Sequence, residues 1–144
     1  MAQMNPYLNF HGNTEEAFNF YKDVFGGEFL TLMRLGEAPD IPNREQLSKK
    51  ALNAVMHVAL PIGNNILMGT DTLDEFGQSL TIGNNSHISI NTDTKEEAQN
   101  IFKKLSQGGN ITMPQEDMFW GDFYGSITDK FGIQWMITYT YPKN

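Results

Sequence analysis

Cysteine is absent from the 144 residues. Its absence excludes a disulfide framework, a thiolate zinc or iron–sulfur site and a cysteine nucleophile, and it accords with a reducing cytoplasm. Basic residues are scarce: ten Lys and Arg stand against 17 Asp and Glu, a formal charge of −7 at pH 7. A chain so acidic lacks the counter-charge that neutralising nucleic-acid phosphates requires. No run of about 18 apolar residues occurs, so no membrane span is expected. Met1 to Tyr7 carries neither a basic segment nor an apolar stretch, so no secretory signal is expected there. A glycine-rich phosphate loop is missing as well. Gly26-Gly27 and Gly108-Gly109 follow predicted helices instead of opening them, which is the wrong end for an anion. The expectation is a soluble cytoplasmic protein with neither a nucleic-acid nor a membrane partner.

What the sequence does contain is an internal repeat. Glu15 to Lys22 can be laid over Glu96 to Lys103, with five of eight positions identical and Phe20/Ile101 and Tyr21/Phe102 both apolar. Asn13 stands three residues before Glu16, and Thr94 three before Glu97, a helix-start signature in both copies. Ala17, Phe20, Tyr21 and Val24 fall at i, i+3, i+4 and i+7, as do Ala98, Ile101, Phe102 and Leu105. That spacing is what a half-buried helix requires, so these aromatics are read as core.

Each helix follows a short alternating segment, Tyr7 to His11 and His87 to Asn91, in which every second residue is apolar. Period-two alternation marks a strand with one buried face. The opposite face then carries Tyr7, Asn9 and His11 in the first copy and His87, Ser89 and Asn91 in the second. Further strands are expected at Phe29–Leu35, Leu52–Leu60 and Asn65–Thr70. In the second copy they are expected weakly from Ile111, then at Phe123–Thr128 and Ile133–Tyr141, the last two joined by a tight turn at Asp129 to Gly132. Gly36 to Lys50 reads as a loop with a short helix around Arg44–Lys49, and Asp71 to Ser86 as a connecting flap. The pattern is α+β, two tandem βαβββ units with mostly antiparallel sheet. Unit one covers about residues 1–72 and unit two about 84–144, and together they are expected to form one domain over 1–144, because either alone would make a poor core.

Two terminal blocks carry a family likeness. One is Pro6 to Phe10 with Gly12, followed by Glu16-Ala17, Phe20-Tyr21 and Val24 to Gly27. The other is Phe119 to Gly125 followed by Asp129 to Trp135. With the tandem repeat, the chain resembles the vicinal oxygen chelate superfamily, the glyoxalase, bleomycin-resistance and dioxygenase fold, in its PhnB-like branch. That resemblance implies a cup-shaped mixed β-sheet with helices packed outside, a homodimer, and in metal-using members two ligands from each half, usually His and Glu. Carried over, only His87 matches. Its counterpart is Tyr7, or Pro6 under a one-residue slip, and the last-strand positions fall near Met68 and Met136, neither of which is a hard ligand. Gln134 is a weak neutral alternative. The expectation is therefore no resident metal, with a rearranged site using His57 and His87 as the weaker alternative. A nucleotide-sulfonium cofactor of the kind implied by the branch's old ubiquinone-methyltransferase label lacks its doubly wound sheet and glycine-rich turn, so no cofactor is expected.

Two functions remain open. In the first, a small organic ligand binds without metal in a cavity lined by Tyr7, Asn9, His87, Ser89, Gln134 and Met136. Phe119 and Trp120 then close that cavity, with Asp122 as a polar handle. In the second, a lyase or isomerase acts next to a carbonyl, with His87 as base and Tyr7 or Asn9 polarising the oxygen.

Overall fold

One side of the first helix, α1 (Thr14–Phe25), is withdrawn from solvent: Ala17, Phe18, Tyr21 and Val24 are buried. In the computed structural model, which describes residues 1–143, this side packs over two strands of its own unit. Burying a side chain such as Phe18 contributes about 1.5–3 kcal/mol. The unit runs from Met1 to Thr81. It contains β1 (Tyr7–Phe10), β2 (Thr31–Arg34), a short α2 (Lys49–Asn53), β3 (Val55–Ile62) and β4 (Asn65–Asp71). The strand order is β1-β4-β3-β2, parallel only between β1 and β4. Gly69 sets how closely helix and sheet approach, because a Cβ there would stand 2.6 Å from the Phe18 ring.

The start of α1 is capped from a distance. Asn13 occupies the capping position without a side-chain bond to the helix. Instead Asp71, at the end of β4, accepts hydrogen bonds from the Thr14 amide (3.0 Å) and hydroxyl (2.6 Å) with one oxygen and from the Val55 amide (2.8 Å) with the other. A carboxylate at a helix N-terminus also meets the positive end of the helix dipole. The segment between β2 and β3 differs from the sequence expectation. The short helix lies further on, at Lys49–Asn53, preceded by a single 3-10 turn at Arg44–Gln46. Leu52, expected in a strand, sits in this helix, because Ser48 caps it by accepting from the Ala51 amide at 3.0 Å and so delays the strand to Val55.

The second unit begins at Ile82. It contains β5 (Ile88–Thr92), α3 (Lys95–Leu105), β6 (Asn110–Asp117), β7 (Asp122–Thr128) and β8 (Gln134–Thr140), in the order β5-β8-β7-β6, with only β5 and β8 parallel. Ala98, Phe102 and Leu105 of α3 are buried over a sheet face that holds Ile127, Trp135 and Ile137, all with no exposed surface. Here the cap is local, since the Thr94 hydroxyl accepts from the Glu97 amide at 3.1 Å. The expected turn is present. Asp129 accepts from the amides of Phe131 (2.8 Å) and Ile133 (3.0 Å) and from the Trp135 indole (2.8 Å). β6, weak in the sequence, is a full eight-residue edge strand with almost every residue exposed. The chain is thus α+β, two tandem βαβββ units with mixed four-stranded sheets.

Candidate functional site

In each sheet the face turned away from its helix is the open one. On the first, register places Tyr7 beside Met68 and Asn9 beside Thr70, while His57 pairs with Met33. Tyr7 and Asn9 are exposed, and His57, Met68 and Thr70 are half-buried. The Tyr7 and His57 rings lie 5.9 Å apart at 30°, a tilted stack. Among the described residues, neither the Tyr7 hydroxyl nor the His57 imidazole has a hydrogen-bond partner, so both polar tips are free to meet a ligand. The Thr70 hydroxyl donates to the Met56 carbonyl at 2.8 Å. Sequence reading singled out Tyr7 and Asn9 but did not join His57 to them, because pairing across strands separated by some fifty residues leaves no local signal.

On the second sheet, Ser89 pairs with Met136, and Met136 with Ser126. His87 stands just ahead of β5 and is exposed, and register sets Ser89, not His87, opposite Met136. The Gln134 amide donates to the Ser86 carbonyl at 2.7 Å, which fixes the chain immediately before His87. His11 is exposed at the end of β1, 3.6 Å from Asp74. His57 belongs to the first unit and His87 to the second.

The aromatic segment after β6 is held by a bond that gives Asp122 a partner. The Trp120 indole donates to the Asp122 carboxylate at 2.8 Å. Phe119 meets Trp120 edge-on at 5.0 Å, with Tyr124 6.5 Å from Trp120. Phe119 is 97% exposed and Trp120 55%, so the pair presents its ring surfaces to solvent.

Donor chemistry decides whether a divalent ion fits. The positions to which the family resemblance assigns ligands hold the phenol of Tyr7, the thioethers of Met68 and Met136 and, just ahead of β5, the imidazole of His87, with Ser89 in register opposite Met136. Soft thioethers and an un-ionised phenol do not make an oxygen-rich or His-carboxylate set. Among the described residues, no three His, Cys, Asp or Glu side chains are grouped to hold a metal ion. The residues do not fit that group.

The same fold recurs in known proteins. Protein YjdN from Escherichia coli K12 is 29% identical over 142 residues, covering 93% of this chain and 92% of the relative. The crystal structure of PA1353 from Pseudomonas aeruginosa superposes with a TM-score of 0.83 at 31% identity, over 97% of this chain and 98% of that one. A PhnB protein from Bacillus cereus gives a TM-score of 0.74 at 25% identity, over 96% and 100%. At 14% identity and a TM-score of 0.58, a glyoxalase/bleomycin resistance/dioxygenase family enzyme from Burkholderia phytofirmans shares the fold, over 94% of this chain and 97% of that one. The family described as 3-demethylubiquinone-9 3-methyltransferase matches residues 2–138. That description names a methyl transfer, yet neither unit has the doubly wound sheet or glycine-rich strand-to-helix turn on which nucleotide cofactors are commonly held. It gives the lineage and leaves the chemistry to the residues. With a match over nearly its whole length, the chain belongs to this PhnB-like family, and its tandem βαβββ units share the fold of the glyoxalase/bleomycin-resistance proteins.

Proposed function

We propose that the chain is a small-molecule-binding protein whose ligand sits on the open sheet faces without a resident metal. The observation that carries this reading is the Tyr7–His57 stack, 5.9 Å between centroids, with both polar tips unpaired and Met68 beside Tyr7. Such a patch offers ring surface for apolar burial at about 25 cal/mol per Å² and two polar groups to fix orientation. Asn9 and Thr70 extend it on the first unit. Ser89, Gln134 and Met136 supply a second polar and thioether surface, and Phe119 and Trp120, braced by Asp122, supply stacking surface. Methionine at such positions adapts to ligand shape.

The alternative, a lyase or isomerase with His87 as base, has less support. His87 is exposed ahead of β5, and among the described residues nothing orients its ring. We take the whole chain as one domain, acting as a homodimer in the cytoplasm. The near-complete cover of single-chain relatives supports the first part, and the exposed Phe119 and Trp120 support the second.

The test is a fragment titration of chelator-treated, isotope-labelled protein followed by amide shifts. Binders should move Tyr7, Asn9, His57 and Thr70 with chelator present, and the Tyr7→Phe/His57→Gln double variant should weaken them about tenfold. Binders that act only after a divalent metal is added, or that leave this face unmoved, would overturn the proposal.

A further inference from the structure

We infer a second binding site in the first unit, beside the Tyr7–His57 patch and sharing only Thr70 with it: the cleft where β3 begins and β4 ends takes one compact, neutral ring compound bearing a single hydroxyl. The cleft has a volume of about 240 Å³. It is lined by the apolar residues Leu35, Ala54, Val55, Met56 and Phe76 and the polar residues Thr70, Asp71 and Gln78. An apolar cavity of about 150 Å³ accommodates a benzene ring. The remaining volume suits a one- or two-atom arm, and it falls short of the roughly 300 Å³ at which drug-sized pockets begin.

Two sets of bonds hold the walls in place before any ligand arrives. Asp71 fastens β4 to the start of α1 and to Val55. On the other side, Glu75 accepts from both the amide and the hydroxyl of Ser48, the residue that caps α2. This clamp keeps the 3-10 turn Asp74–Phe76, and with it the Phe76 ring, against the cleft.

The free hydrogen-bonding capacity defines the ligand. Asp71 already accepts three hydrogen bonds, two on one oxygen and one on the other. Thr70 spends its hydroxyl proton on the Met56 carbonyl, so its oxygen is left to accept. Gln78 uses its carbonyl oxygen on the Leu73 amide at 3.2 Å, which leaves its amide nitrogen to donate. A ligand hydroxyl can donate to the Thr70 oxygen and accept from the Gln78 amide. Anions are opposed by the Asp71 carboxylate in the lining, in a chain of net charge −7.

Benzyl alcohol, benzoate and toluene serve as probes in amide-shift titrations of the full chain. Benzyl alcohol should give saturable shifts at Ala54, Met56, Asp71 and Gln78 and none at Tyr7 or Asn9, with benzoate at least tenfold weaker. Met56 is bulged and 37% exposed, so Met56→Trp can fill the cleft without entering the core, and it should abolish saturation. Gln78→Leu, at an exposed position, should weaken benzyl alcohol several-fold and leave toluene unchanged. The Tyr7→Phe/His57→Gln variant should bind benzyl alcohol as the parent does, which separates this site from the proposed ligand face. Equal binding of benzoate, shifts that do not saturate, or unaltered binding by both Met56→Trp and Gln78→Leu would overturn the inference.

Discussion

Replacing Asp71 by Asn keeps volume and shape while removing the charge and half of the acceptor capacity at the point where α1, β3 and β4 meet. In the parent, one oxygen takes two hydrogen bonds from Thr14 and the other takes one from Val55. The amide can reproduce one of those oxygens but must turn an NH2 group towards an N–H or O–H donor at the other. Hydrogen bonds to a charged group contribute about 1.5–3 kcal/mol each, and a buried amide left unpaired costs about 1–3 kcal/mol. Loss of the helix-terminus charge adds about 0.3–1 kcal/mol. Since Asp71 is buried, solvent restores little of this. The expected destabilisation is about 2–4 kcal/mol in urea unfolding, or roughly 4–16 °C in Tm for a chain of this size. Hydrogen exchange gives the location: amides of the first turn of α1 and of Val55 should lose protection, and those of α3, which carries its own Thr94 cap, should not. A loss below about 0.5 kcal/mol, or equal loss of protection in α3, would refute the assignment of Asp71 as the cap that Asn13 does not provide.

Arg34 grips Glu15 through two bonds, at 3.0 and 2.7 Å, and this hydrogen-bonded contact holds the Glu15 carboxyl below its ordinary range. A lowered carboxyl contributes stability above its ordinary titration range, and that contribution is lost as pH falls through the lowered value. Arg34→Met should therefore cost about 0.5–1 kcal/mol near pH 7, at the upper end for a partly exposed pair, and the difference from the parent should vanish in acid unfolding at the lowest pH. Gly69→Ala forces a methyl to within 2.6 Å of the Phe18 ring and should cost about 1–3 kcal/mol, largely recovered by adding Phe18→Leu. The two tryptophans should separate in acrylamide quenching. Trp120→Phe should remove the quenchable fluorescence, leaving the emission of Trp135, which is fully buried.

Much of the fold was written locally. The repeated Glu-Glu-Ala helices, the alternating strands before them and the Asp129 turn each depend on residues within a few positions of one another, so periodicity and turn chemistry reach them. The Ser48 cap was equally local, yet the apolar run from Leu52 hid it, and the strand was placed three residues early. Long-range features left no such trace. Asp71 reaches Thr14 across 57 positions, and a capping side chain already stood at Asn13, so nothing in the sequence called for another. The candidate site was legible one strand at a time. Alternation put Tyr7, Asn9 and Ser89 on open faces, whereas joining Tyr7 to His57 needs the register of three strands, which only the folded sheet supplies. His87 shows the converse, since a strand boundary shifted by one residue moves it out of the ladder and leaves Ser89 opposite Met136.

The central claim is that recognition needs the Tyr7–His57 face and no metal. The most direct measurement is calorimetric titration of the tightest fragment binder into the parent and the Tyr7→Phe/His57→Gln variant, each with and without chelator. The account predicts equal affinity in the parent with and without chelator and about tenfold weaker binding in the variant under both conditions. Binding abolished by chelator, or an affinity unchanged in the variant, would contradict it.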